Sequence, residues 1–97
     1  MNTIYDYITV IKQNRSKIMH DFGVKSLRIF GSVARNEQTE ESDVDICIEM
    51  NAPDLFNMVH IKEDLQKLFG RNVDIVRLRK NMNPMLLNQI ERDGVYA

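Results

Sequence analysis

The chain has 97 residues, of which 43% are hydrophobic and 28% are charged, a balance typical of one ordinary globular domain. This composition excludes a disordered tail and a fibrous repeat. Thirteen basic residues against fourteen acidic ones give a formal charge of −1, so the chain has no overall positive field to hold duplex nucleic acid.

The first half of the chain predicts a long helix, a short strand and a short helical segment. Apolar residues recur at steps of three and four over residues 4–22, which is the stripe of an amphipathic helix. Asn2 or Thr3 can cap its start, and Gly23 can end it in a left-handed conformation. Residues 27–30 then predict a strand that stops at Gly31, and the polar segment 33–36 can begin a helix.

The second half predicts two further strands and two helices. Residues 43–49 alternate between polar and apolar side chains, the period of a strand with one polar and one apolar face. A long helix follows, with Pro53 in its first turn and Gly70 at its end. Its expected buried stripe is Leu55, Met58, Val59, Ile61, Leu65, Leu68 and Phe69. Residues 73–78 alternate again as a third strand, and Pro84 opens a last short helix that Gly94 closes.

This order of elements predicts a single domain over residues 1–97, of the α/β (α+β) class, with a small mixed β-sheet and helices packed on one face. The single cysteine, Cys47, excludes an internal disulfide and indicates a reducing compartment. No apolar run approaches the length of a membrane span, and the start of the chain lacks a signal-peptide core. We therefore expect a soluble, cytoplasmic domain.

Gly31 and Ser32 lie where the first predicted strand ends. Glycine lets the backbone approach a ligand closely and adopt a positive φ. The N–H groups of the turn that follows, together with the Ser32 hydroxyl, would form an anion site. A plain turn has the same composition, so this pair by itself leaves both interpretations open.

Asp43 and Asp45 lie two residues apart on the second strand, so their carboxylates leave the same face, about 6–7 Å apart at Cα. The pair can bracket divalent cations, and oxygen-only ligands suit Mg²⁺. The alternative is the solvated face of an edge strand. Aspartate is a poor strand former, however, and two like charges on one face repel unless a positive group lies between them.

Asp74 lies inside the third predicted strand, flanked by Val73 and Ile75, where an apolar residue is expected. If this strand pairs beside the second strand, Asp74 faces the same side as Asp43 and Asp45. Without compensation, three converging carboxylates would destabilise the fold or raise the pKa of one of them. Bound divalent metal would neutralise the cluster.

Residues 31–35 (Gly-Ser-Val-Ala-Arg), residues 42–45 (Ser-Asp-Val-Asp) and Asp74 together resemble the minimal nucleotidyltransferases of the DNA polymerase β superfamily. The signature of that family is Gly-Ser-x-Ala-Arg-Gly, a short polar spacer, Ser-Asp-x-Asp and a third carboxylate one helix downstream. The resemblance covers nearly the whole chain. Asn36 replaces the usual final glycine, and because asparagine tolerates the left-handed region, we expect the loop to be kept.

The resemblance implies a polymerase β-like fold that transfers AMP from ATP with two Mg²⁺ ions. The residues that it assigns to catalysis and to metal binding are Asp43, Asp45 and Asp74. The residues that it assigns to the nucleotide are Gly31, Ser32, Arg35 and Ser42. The short form of this family usually serves as the antitoxin of an all-helical HEPN ribonuclease toxin. The proposed acceptor of AMP is a tyrosine hydroxyl of that toxin.

Arg35 and the basic cluster at residues 77–80 each have two interpretations. The Arg35 guanidinium could bind phosphate bidentately, or it could pair on the surface with Glu37, Glu40 or Glu41. The cluster is either a solvated strand end or a surface that meets the triphosphate or an acidic partner.

Two other functions remain open. A protein of this fold could neutralise a toxin by covering it without catalysis. The candidate docking surface would then be Met82, Met85, Leu86 and Leu87. A transferase acting on a small molecule is less favoured, because relatives of that kind usually carry an extra helical domain.

Overall fold

In the computed structural model, which describes residues 3–52 and 54–97, a four-stranded mixed sheet is combined with five helices. Strands run β3-β2-β1-β4 across the sheet; β2 and β3 are parallel and the other pairs are antiparallel. The predicted fold class is confirmed. In chain order the elements are α1 Ile4–Gln13, α2 Arg15–Asp21, β1 Val24–Phe30, α3 Gly31–Ala34, β2 Val44–Met50, α4 Leu55–Phe69, β3 Val73–Arg77, α5 Pro84–Asp93 and β4 Val95–Tyr96.

The first predicted helix is divided in two at Asn14. The side-chain amide of Asn14 donates a hydrogen bond of 2.8 Å to the carbonyl oxygen of Val10. Asparagine competes for backbone groups in this way, so it disfavours a continuous helix. The prediction of one helix is therefore wrong, whereas Thr3 as N-cap and Gly23 in the left-handed region (φ 68°) are confirmed. Asn2, the other predicted cap, lies outside the described residues.

The larger core lies between one face of the sheet and the helices α1, α2 and α4. Its strand residues include Leu27, Ile29, Ile46 and Ile48. Its helix residues include Tyr7, Ile11, Ile18, Ile61 and Leu65. Full burial of such a side chain contributes about 1.5–3 kcal/mol, so this layer dominates the stability of the fold.

A second, smaller core lies on the opposite face of the sheet, because successive strand residues point to opposite faces. There Phe30 and Cys47 are buried in one cluster with Met82 and Ile90 of the C-terminal segment. Helices thus cover both faces, whereas the sequence predicted helices on one. The physical reason is that Phe30 and Cys47 are apolar residues on the otherwise polar face of their strands. Helix α5 packs over them and removes them from water. Burial also raises the pKa of the Cys47 thiol.

The first turns of α4 are more exposed than predicted. Within the expected stripe, Ile61, Leu65 and Phe69 are buried, whereas Leu55 and Val59 are 75% and 53% exposed. At 3.6 residues per turn, Leu55 lies only about 40° around the helix from the buried Phe69, so its exposure reflects its position at the N-terminal end of α4. Pro53, the predicted first-turn residue, lies outside the described residues.

The chain ends in a strand that the sequence did not predict, because two residues are too few to show alternation. Strand β4 pairs antiparallel with β1, and the amide of Ala97 donates to the carbonyl of Leu27 at 3.1 Å. This pairing places the end of α5 beside β1 and the turn that follows it. Within residues 3–52 and 54–97, no helix combines the length and apolar character needed to cross a bilayer.

Candidate active site

Asp45 and Asp74 are register partners on the parallel strands β2 and β3. Neighbours in register point to the same face, and adjacent strands lie about 4.8 Å apart. Asp43 lies immediately ahead of β2, two residues before Asp45. The structure therefore places Asp74 beside Asp45 in register, with Asp43 close to Asp45 along the chain.

The negative charges of Asp43 and Asp74 act on the carboxyl group of Asp45. The pKa of Asp45 is raised above its ordinary value, first because the carboxyl is partly buried and then because Asp74 and Asp43 are negatively charged. The positive charge of Arg35 acts in the opposite direction. A raised pKa on one member is the effect expected of converging like charges.

We expect Asp45→Asn to raise the melting temperature of the metal-free protein at neutral pH by a few degrees. A carboxyl whose pKa is higher in the folded than in the unfolded state destabilises the fold when ionised. This cost is absent below the ordinary value of 3.8 and complete above the raised folded-state pKa. The gain should therefore vanish in acid. The melting temperatures of wild type and Asp45→Asn are measured by circular dichroism in the presence of chelator at several pH values. A lower melting temperature of Asp45→Asn at neutral pH would contradict the expectation.

Gly31 brings the backbone into close contact with Asp45. Phe30 is the partner of Asp45 across β1 and β2, and Gly31 follows it with φ +73°. A Cβ atom at Gly31 would overlap Oδ2 of Asp45 and lie 3.1 Å from its Cγ. Glycine is thus required here both for the left-handed backbone and for the close approach. Ser32 follows directly, in the short helix α3.

The turn after α3 keeps the expected backbone at Asn36, whose φ of 55° is left-handed. The prediction that asparagine preserves this loop is confirmed. Its side chain also has a role that the sequence did not indicate, because Oδ1 of Asn36 accepts a 3.0 Å hydrogen bond from the amide of Ile4.

Arg35 pairs with two carboxylates. Its Nε lies 3.0 Å from Oε2 of Glu37, which is one of the surface pairings considered from the sequence. Its Nη1 lies 2.8 Å from Oδ2 of Asp93, at the end of α5. No local pattern could have indicated Asp93, because 58 positions separate it from Arg35.

Ser42 shapes the loop that leads into Asp43. Its Oγ accepts a 2.9 Å hydrogen bond from the amide of Thr39. Arg71, between α4 and β3, holds the same loop by donating to the carbonyls of Thr39 and Ser42, at 2.8 and 3.3 Å. Sequence reasoning missed Arg71, because this contact joins two loops that are distant in the chain.

A groove beside Asp74 is bordered by apolar side chains of α4. Its lining residues are Leu55, Met58, Val59, Lys62, Asp74 and Ile75. Phe56, which follows Leu55 on α4, is 82% exposed. We call the exposed side chains of Leu55, Phe56 and Val59 the α4 surface.

The docking surface predicted near the last helix is largely internal. Met82 is buried, and Leu86 and Leu87 pack against the smaller core. Met85 remains 74% exposed. The α4 surface thus offers more accessible apolar side chains than α5 does.

The carboxylates fit a divalent cation by their chemistry. Within residues 3–52 and 54–97, no three histidine, cysteine, aspartate or glutamate side chains are grouped as a ready metal site. Asp43 and Asp74 are exposed, however, and can rotate toward Asp45. Mg²⁺ generally uses one or two carboxylates and completes its shell with water and substrate phosphates. The pair Asp45 and Asp74, with Asp43 beside it, meets that requirement.

The chain and its fold match a known family. The model of the family described as nucleotidyltransferase domain matches residues 11–97, so the chain belongs to that family. The resemblance to minimal nucleotidyltransferases is confirmed: a solved structure described by that name has a TM-score of 0.72 and 30% identity, covering 92% of this chain and 93% of the other.

Relatives extend the comparison over the full chain. A Methanocaldococcus jannaschii protein, provisionally named a protein adenylyltransferase, is 37% identical over 100% of both chains. The protein adenylyltransferase MntA of Thermococcus cleftensis is 29% identical over 100% of this chain and 98% of its own. A chain in a toxin–antitoxin crystal structure with AMP-PNP shares the fold, with a TM-score of 0.71 and 23% identity over 88% of this chain and 70% of that one.

Proposed function

We propose that this chain transfers AMP from ATP to a hydroxyl group of a partner protein and thereby acts as the antitoxin of a HEPN toxin. The observation that carries the proposal is the register pairing of Asp45 with Asp74, beside the close approach of Gly31. Full-length relatives that are named protein adenylyltransferases support the protein acceptor.

We assign the residue roles that the family resemblance implies, and the register of Asp45 with Asp74 supports them. Asp43, Asp45 and Asp74 would hold two Mg²⁺ ions, which supply charge stabilisation at the entering and leaving oxygens of an in-line displacement. The turn at Gly31 and Ser32 binds the triphosphate. Asp74 borders the open groove on the edge strand and accepts the proton of the acceptor hydroxyl. That oxygen bonds to the α-phosphorus, and pyrophosphate leaves.

The partner is inferred from structural neighbours. A chain of the same fold, with a TM-score of 0.64 and 20% identity, occurs in a complex described as a tri-AMPylated Shewanella oneidensis HEPN toxin with its MNT antitoxin. We propose an all-helical HEPN protein as the partner here, with a tyrosine hydroxyl as acceptor.

The test is transfer to the partner in vitro. The chain is incubated with the proposed HEPN partner, ATP labelled at the α-phosphate, and Mg²⁺. We expect label and the mass of AMP on the partner, located to tyrosine by peptide mass spectrometry, and none with chelator. A partner that stays unmodified at saturating Mg²⁺ and ATP would refute the proposal.

Neutralisation by covering the toxin is the second candidate, and the α4 surface is the observation that favours it. Leu55 and Phe56 are 75% and 82% exposed. Apolar side chains clustered in solvent are typical of surfaces that bind other proteins. Under this alternative, protection from the toxin would not require the carboxylates.

A further inference from the structure

The turn that carries Gly31 and Ser32 is connected to the rest of the fold at its C-terminal end. The helix α3 has only four residues and continues into Arg35 and Asn36. A helix this short has little stability of its own, so its position depends on tertiary contacts. Two of those contacts come from side chains just after it.

The first contact joins the turn to α5. Nη1 of Arg35 lies 2.8 Å from Oδ2 of Asp93, whose side chain is only 9% exposed. Arg92 also binds Asp93, with its Nε 3.1 Å from Oδ1, but Arg92 belongs to the same helix. Nη2 of Arg92 also donates a 3.2 Å hydrogen bond to Oδ2, so the oxygen that pairs with Arg35 is held by Arg92 as well.

The second contact joins the turn to α1. Oδ1 of Asn36 accepts a 3.0 Å hydrogen bond from the amide of Ile4, in the first turn of that helix. Glycine at this position would allow the same backbone angle but would lose this bond. The end of the turn is thus tied to helices on either side of it.

We propose that Asp93 is a positioning residue for nucleotide binding: through Arg35 it fixes the turn of Gly31 and Ser32 against α5, and Asn36 fixes the same turn against α1. This inference rests on the proposed function, because it requires Gly31 and Ser32 to contact the triphosphate. Misplacing a binding group by about 1 Å can cost up to a hundredfold in function.

The test is affinity for AMP-PNP with Mg²⁺, measured by calorimetry on the chain alone at a temperature where circular dichroism shows every variant folded. We expect Asp93→Ala to weaken binding about tenfold. The double variant Arg35→Ala with Asp93→Ala should bind no more weakly than Arg35→Ala alone, because the effect of Asp93 is transmitted through Arg35. Asp64→Ala is the matched control and should bind like wild type, because Asp64 pairs with Lys17 at 3.4 Å and lies away from the turn.

Variants of Asn36 test the second contact of the turn independently. Asn36→Asp keeps the acceptor oxygen and should bind nearly normally, whereas Asn36→Gly keeps only the backbone conformation and should bind several-fold more weakly. These effects on affinity, seen in folded proteins, are not expected of residues that contribute stability alone.

Three results of these affinity measurements would contradict the proposal or the function on which it rests. If wild type does not bind AMP-PNP, the proposed function itself fails. If wild type binds and Asp93→Ala binds equally well, the positioning role is refuted. A double variant that binds much more weakly than Arg35→Ala alone would show that Asp93 acts separately from Arg35, and would equally refute positioning of the turn through Arg35.

Discussion

Replacing Asp43 and Asp45 together by alanine should reduce AMP transfer to the partner by a factor on the order of a thousand or more. The two side chains are proposed to supply most of the ligands for the cations that neutralise the reacting phosphates. Losing them should cost several kcal/mol of transition-state stabilisation, and each ~1.4 kcal/mol corresponds to a tenfold change in rate.

The loss should not arise from unfolding. Removing Asp43 and Asp45 relieves the repulsion that raises the pKa of Asp45, so the melting temperature of the metal-free variant should be no lower than that of wild type. Asp64→Ala is a matched control, because Asp64 is a carboxylate on α4 that pairs with Lys17 at 3.4 Å, away from the site. It should transfer AMP normally.

The same double variant separates catalysis from covering of the toxin. If the protein acts by transfer, cells that express the toxin with the variant should lose protection. Continued protection, with the partner unmodified, would favour binding through the α4 surface. Substitution of Phe56 by serine should then abolish that protection, because the exposed ring would supply contact area.

Gly31→Ala should reduce AMP transfer by about a hundredfold or more and lower the melting temperature. A Cβ atom there would overlap Oδ2 of Asp45, so either the turn or the carboxylate must move. Displacement of either group by about 1 Å is enough for a loss of this size. The φ of +73° adds the strain of a left-handed non-glycine residue.

Gly23→Ala separates these two causes. Gly23 has nearly the same φ, +68°, but a Cβ atom there would meet no atom within 4 Å. It should therefore show only the backbone cost, about 1–2 kcal/mol, with transfer unchanged in the folded protein. Equal activities of the Gly31 and Gly23 variants would contradict a close approach between Gly31 and Asp45 that matters for function.

The exposed residues of α4 show that hydrophobic periodicity alone does not predict which residues of a helix are buried. Leu55 and Val59 follow the helical spacing as well as Ile61 and Leu65 do, so the sequence placed all of them in the core. Leu55 lies on nearly the same side of the helix as the buried Phe69, but at the N-terminal end, where it stays 75% exposed. A hydrophobic pattern indicates which residues could be buried, but the length of helix that is covered depends on what packs against it.

The sequence by itself indicated which residues carry the proposed chemistry, because the signal for each of them is local in the chain. Asp43 and Asp45 are two residues apart, Gly31 ends a strand, and Asp74 interrupts an apolar one, so each signal lies within a single element. The tertiary structure alone decided the register that places Asp74 beside Asp45, and the contacts of Arg35 with Asp93 and of Arg71 with the loop before Asp43. Those contacts join segments far apart in the chain, and only the packing of the whole domain brings them within hydrogen-bonding distance.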